Sequence, residues 1–130
     1  METVFIVDDD PDHRDYVRYV LEHEGYITKD FKNGRECLAH LDRKRPDLIV
    51  TDIFMPEVDG IELISTIRKR GFNVPVVGMT GGFSSHDMPN EKISALLAFS
   101  NVLSKPFDSV KLKETVSTTL NDPSSTTAET

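Results

Sequence analysis

Residues 47–71 read DLIVTDIFMPEVDGIELISTIRKRG. The opening five, DLIVT at 47–51, form an apolar run of the kind that suits a strand buried on both faces of a parallel sheet. Asp52 ends that run. Asp59, with Glu62 three residues later, is a capping-box pattern for a helix. Ile61, Ile64 and Ile67 recur at helical spacing and mark its buried face, and Gly71 follows its end. The segment predicts one strand, one turn carrying a carboxylate and one amphipathic helix.

The same grammar extends in both directions. Residues 3–7 (TVFIV) and 74–79 (VPVVGM) are further buried-strand candidates, and 27–31 and 101–104 are weaker ones. Asp10 caps a first helix with Pro11 in its first turn, Gly25 past its end and Val17, Val20 and Leu21 on its apolar stripe. Asn33 with Glu36 opens a second helix, which Pro46 stops. A fourth helix is expected within 91–99. A fifth is expected from near Asp108, carrying Leu112, Val116 and Leu120. Repeated strand–helix alternation implies right-handed crossovers and a parallel α/β sheet covered on both faces. The expected domain spans 1–120. The last ten residues, NDPSSTTAET at 121–130, read as a disordered tail, and 81–90 as a long polar loop.

Composition narrows the function classes. With 130 residues the chain suits one domain, and its 38% hydrophobic and 28% charged residues are ordinary for a globular protein. A single cysteine, Cys37, forms no internal disulfide and reads as a small core residue of the second helix. No apolar run approaches the ~18 residues a membrane helix needs, and the N-terminus lacks a signal-peptide pattern. The net charge of -7 weighs against direct nucleic-acid binding. A cytoplasmic acidic domain is the expectation.

Ligands of open parallel sheets bind beyond the carboxyl ends of the strands. Asp8, Asp9 and Asp10 follow the first strand, Asp52 the third, Thr80 the fourth and Lys105 the fifth. Crowded carboxylates repel unless something neutralises them. A hard divalent cation with oxygen ligands does so, and Mg²⁺ fits a partly hydrated site. Lys105 and the Thr80 hydroxyl would then hold phosphoryl oxygens, with Asp52 as nucleophile. Other polar residues have structural readings. Asp10 and Asp12 suit a helix N-terminus, Asp59 and Gly60 a cap and turn, and Arg43, Lys44 and Arg45 the last turn of the second helix. His13, His23, His40 and His86 lack ligand spacing and read as solvated.

VFIVDDDP at 4–11, DLIVTDIFMPEVDG at 47–60, VVGMTGG at 76–82 and SKPF at 104–107 together resemble the receiver domain of bacterial two-component response regulators. The resemblance spans residues 3–120. It implies a flavodoxin-like (βα)5 fold, a doubly wound parallel five-stranded sheet in the order 2-1-3-4-5. It further implies that Asp52 is the phosphoacceptor, that Asp9 ligates the metal directly and Asp8 through a water, and that the Phe54 carbonyl and Asp52 complete the Mg²⁺ site. Thr80 would move to the phosphoryl group, and Lys105 would pair with it through a cis bond to Pro106. The phosphodonor would be a sensor histidine kinase or a phosphotransfer protein. The output would run through protein contacts of residues 91–120, in a monomer or weak phosphorylation-dependent dimer. Such a chain is a signalling receiver that catalyses only its own phosphorylation and dephosphorylation. A phosphorelay intermediate and a phosphorylation-independent scaffold are the alternatives. An aspartate-nucleophile phosphohydrolase is disfavoured because Phe54 stands where its second carboxylate belongs.

Some positions depart from the family pattern. Val102 replaces the usual Tyr or Phe three residues before the lysine. Ala98, followed by Phe99, replaces a common Gly. Phe54 and Gly82 occupy the positions that tune dephosphorylation.

Overall fold

Every residue of strands β1 (Thr3–Val7) and β3 (Leu48–Asp52) is buried, so both faces of the sheet centre carry apolar side chains. The computed structural model describes residues 1–55, 58–81 and 96–122. Within them the further elements are α1 (Pro11–His23), β2 (Ile27–Phe31), α2 (Gly34–Leu41), α3 (Gly60–Lys69), β4 (Val76–Gly81), a 3-10 turn at Leu96–Ala98, β5 (Asn101–Lys105) and α4 (Ser109–Asn121). The five strands pair in parallel in the order β2-β1-β3-β4-β5. This is the doubly wound flavodoxin-like sheet the sequence predicts.

Alternation along the strands builds two cores. Phe5, Val7, Ile49 and Ile53 face α2 and α3, meeting Cys37, Leu41, Leu63, Ile64 and Ile67. Val4, Ile6, Leu48 and Val50 face the other way, meeting Val17, Val20 and Leu21 of α1 and Leu112 and Val116 of α4. Each α-helix among the described residues opens on a side-chain cap: Asp10 accepts from Asp12 N at 3.0 Å, Asn33 from Glu36 N at 2.9 Å, Asp59 from Glu62 N at 2.9 Å and Asp108 from Lys111 N at 2.8 Å. Such a cap contributes about 1 kcal/mol. No helix among the described residues is long and apolar enough to cross a membrane.

Several expectations need correction. β3 runs one residue further than read, so Asp52 is its last residue. β4 starts at Val76 rather than Val74, because Pro75 has no N–H to donate and the carbonyls of Phe72 and Val74 accept from Arg68 instead, at 3.1 and 2.8 Å. It runs on to Gly81, past Thr80. Leu63 is fully buried on α3, whereas Ile61 packs only at the margin of that core. Arg43, Lys44 and Arg45 lie beyond the end of α2, and the Arg45 guanidinium sits 4.0 Å from the centre of the Phe72 ring. Of the expected fourth helix residues 96–99 are described, with Leu96–Ala98 as a 3-10 turn and Phe99 beyond it. The rest of it lies outside the described residues, as do the polar loop beyond Gly81, including Gly82 and His86, and residues 123–130 of the tail. Phe99 is buried with its ring against Gly78, in the space a side chain there would fill.

Candidate functional site

The sheet order reverses between β1 and β3, since the chain leaves β1 outward to β2 and returns to β3 on its other side. That crevice is where doubly wound folds bind ligands. Asp8 and Asp9 follow β1 and Asp52 closes β3. A carboxylate oxygen from each lies within 4.8 Å of the others, an arrangement able to hold a metal ion. Asp8 and Asp52 are buried and Asp9 is exposed. Parallel registration brings the ends of β4 and β5 alongside, with Thr80 opposite Ser104 and Gly81 opposite Lys105. Lys105 Nζ reaches Asp52 Oδ1 at 2.7 Å and Asp8 Oδ2 at 3.8 Å. The Lys105–Pro106 bond is cis. The Thr80 hydroxyl is buried without a hydrogen-bond partner among the described residues.

Asp8, Asp9, Asp52, Thr80 and Lys105 therefore gather at one end of the sheet. Phe54 lies two residues beyond Asp52, half-buried against the α2–α3 core. Asp10 stands apart, its carboxylate engaged as the cap of α1. The donor set fits a hard cation. Its charged ligand groups are all oxygens, and among the described residues three carboxylates face the single Lys105 ammonium.

Sequence reasoning missed His13, which it read as solvated. Its Nδ1 lies 2.6 Å from Asp8 Oδ2. Arg14, the next residue, donates to the Asp8 carbonyl at 2.8 Å and to Asp30 Oδ2 at 3.1 Å. The available signal was position rather than spacing. Both residues sit in the first turn of a helix that begins at the mouth of the crevice.

Burial and contact with the Asp8 carboxyl push Asp52 up to about 7, outweighing the pull of Lys105. Burial also pushes Asp8 upward, but His13, then Asp52, the Asp10 amide and Lys105 bring it below the usual carboxylate range. The two directions describe one proton serving a pair. It rests on Asp52, because Asp8 has His13 and an Asp10 N–H at 3.0 Å, whereas among the described residues Asp52 contacts Lys105 and the Asp8 carboxyl. The raised group fixes the sign of the pH effect. Between about 4 and about 7 the folded, metal-free protein binds more protons than the unfolded chain, so this contribution to stability is lost as pH rises through the window. Asp8 acts with the opposite sign, and only below its ordinary value. Asp52→Asn should therefore gain melting temperature relative to wild type as pH rises from about 4.5 to about 7.5 in chelator. A pH-independent difference would contradict the assignment.

A doubly wound parallel sheet with paired aspartates at its switch point, and a threonine hydroxyl and a lysine on the two neighbouring strand ends, is the arrangement that the sequence resemblance implies. Residues 4–117 match the family model described as the response regulator receiver domain, and the chain belongs to that family. It is 38% identical over 111 residues to an uncharacterized 14.6 kDa protein in the sodA1 3' region of Leptolyngbya boryana, covering 84% of this chain and 82% of that one. It is 34% identical over 121 residues to the transcriptional regulatory protein PcoR of Escherichia coli, covering 92% of this chain but 52% of PcoR. The chain thus spans about half the length of that regulator. Among solved structures, the signal receiver domain of a signal transduction histidine kinase from Syntrophus aciditrophicus aligns with a TM-score of 0.82 at 30% identity, covering 100% of this chain and 98% of that one. Vibrio cholerae chemotaxis protein CheY4 aligns at 0.78 and 29% identity, covering 90% and 97%.

Proposed function

We propose that this receiver works as a single-domain response regulator in the cytoplasm, its domain spanning 1–120, and accepts a phosphoryl group on Asp52 from a histidine kinase or phosphotransfer protein. The observation that carries the reading is the 2.7 Å Lys105–Asp52 contact with Asp8 and Asp9 beside it. Asp8, Asp9, Asp52 and the Phe54 carbonyl would hold Mg²⁺, which supplies positive charge to a pocket otherwise repellent to a phosphoryl group. An Asp52 carboxylate oxygen attacks phosphorus in line. The new O–P bond forms as the P–N bond to the donor imidazole breaks, and the imidazole leaves with the bonding pair. Asp52 must be ionised to attack, and Lys105 favours that form. In the product, Lys105 turns from the carboxylate to a phosphoryl oxygen, and the Thr80 hydroxyl donates to another. Exposed Leu97, Val102 and Val110 on the β5–α4 side offer apolar surface for a protein partner, which supports output by protein contact.

A phosphorelay role is a second reading, favoured by Val102. This side chain, 42% exposed, cannot rotate between buried and exposed states as an aromatic does. The test common to both readings is intact mass after incubation with acetyl phosphate. One phosphoryl group is expected with Mg²⁺ and none with chelator. No gain from acetyl phosphate or phosphoramidate in Mg²⁺ would contradict the proposal.

A further inference from the structure

We propose that His13 is a positioning residue for the cation site: its Nδ1–H holds the Asp8 carboxylate in the orientation that Mg²⁺ at Asp8, Asp9 and Asp52 requires. The inference rests on the Mg²⁺ reading of those aspartates. Asp8 is fully buried with Oδ2 2.6 Å from His13 Nδ1, and a carboxylate that binds a cation can only accept, so the tautomer with its proton on Nδ1 is the one that serves the site. The imidazole is aimed by its neighbours. The Phe107 ring meets it edge-on at 5.4 Å and 77°, and Tyr16 lies 6.0 Å away on the same helix.

Asp8 is gripped at other atoms too. Its Oδ1 accepts from Asp10 N and its carbonyl from Arg14, which Asp30 anchors in turn. Those contacts fix the backbone and one oxygen. The other oxygen, Oδ2, lies 2.6 Å from His13 Nδ1 and 3.8 Å from Lys105 Nζ. Without His13 the Lys105 ammonium remains beside Oδ2. The carboxylate then turns toward the ammonium, which neutralises the charge a divalent ion needs. Carboxylates that bind metals are themselves held by hydrogen bonds, and removal of such a partner weakens metal binding by about 10–100-fold.

The experiment is calorimetric titration of Mg²⁺ into wild type, His13→Leu and His13→Asn. Asn and Leu share one outline, and the Asn amide nitrogen stands as many bonds from Cβ as Nδ1 does, so the pair isolates the donor. His13 is 22% exposed, which makes both substitutions tolerable in the fold. His13→Leu should bind Mg²⁺ about tenfold more weakly, and His13→Asn should stay within about threefold of wild type. Both variants should unfold cooperatively in chelator, so that a difference in Mg²⁺ affinity is not a difference in folding. Equal Mg²⁺ affinity for Leu and Asn, whether native or weakened, would overturn the positioning role. Should His13→Leu fail to fold, His13→Ala is the donorless partner for the same comparison. A wild type that binds no Mg²⁺ would instead overturn the cation site itself.

Discussion

Asp52→Asn should take up no phosphoryl group from acetyl phosphate in Mg²⁺, while remaining folded. The substitution keeps the outline of the side chain and an oxygen for Lys105, whose Nζ now contacts Asp52 Oδ1 at 2.7 Å. It removes the anionic oxygen that, on the proposed function, would attack phosphorus, and a neutral amide is no substitute nucleophile. No nearby carboxylate takes over readily. Asp8 is held by His13, the Asp10 amide and Lys105, and Asp9 is exposed. Incorporation should fall below detection by intact mass, with an unchanged far-ultraviolet circular dichroism spectrum. Incorporation by the variant at the wild-type rate would place the acceptor elsewhere.

Gly60→Ala should be the most damaging small substitution outside the charged pocket. Gly60 opens α3, and its N–H donates to the Ile53 carbonyl at 2.9 Å. A Cβ there would overlap the Asp52 carbonyl oxygen and stand 2.8 Å from Ile53 Cα. Both are main-chain atoms of the segment that presents Asp52, so no rotamer change relieves the clash. Either α3 lifts off the end of β3, breaking its contact with Ile53, or the β3 end twists and misdirects Asp52. Forced overpacking of this kind costs about 3 kcal/mol, which for a domain of this size lowers the melting temperature by roughly 10 °C. Phosphoryl uptake should slow as well, because the nucleophile moves. A variant melting within about 2 °C of wild type would show that the β3–α3 junction is looser than its geometry implies.

The contrast between Asp52 and Gly60 shows what a sequence exposes. Asp8, Asp9, Asp52, Thr80 and Lys105 were legible because parallel strands bring their carboxyl ends to one edge, so each residue's place follows from strand order. The caps were legible because each acts within its own helix turn. Gly60 read only as a turn residue, since its close approach is to a backbone seven and eight residues earlier. Leu63 was passed over because every-third spacing favoured Ile61, while packing against β3 rotates the buried face by part of a turn. β4 was placed two residues early because its apolar run includes Pro75, which cannot donate to the ladder. His13 lies in a polar segment, and only the angle at which α1 leaves β1 turns its imidazole toward Asp8. Phe99 against Gly78 is likewise a large-for-small exchange between distant positions, invisible to periodicity.

The central claim concerns one side chain, and the most direct measurement locates the modification. Wild-type protein phosphorylated with acetyl phosphate in Mg²⁺ is reduced with borohydride, which converts an aspartyl phosphate to homoserine, and the peptides are then sequenced by mass spectrometry. The account predicts homoserine at position 52 and at no other aspartate. Homoserine at Asp8 or Asp9, or phosphate retained on a histidine such as His13, would contradict it.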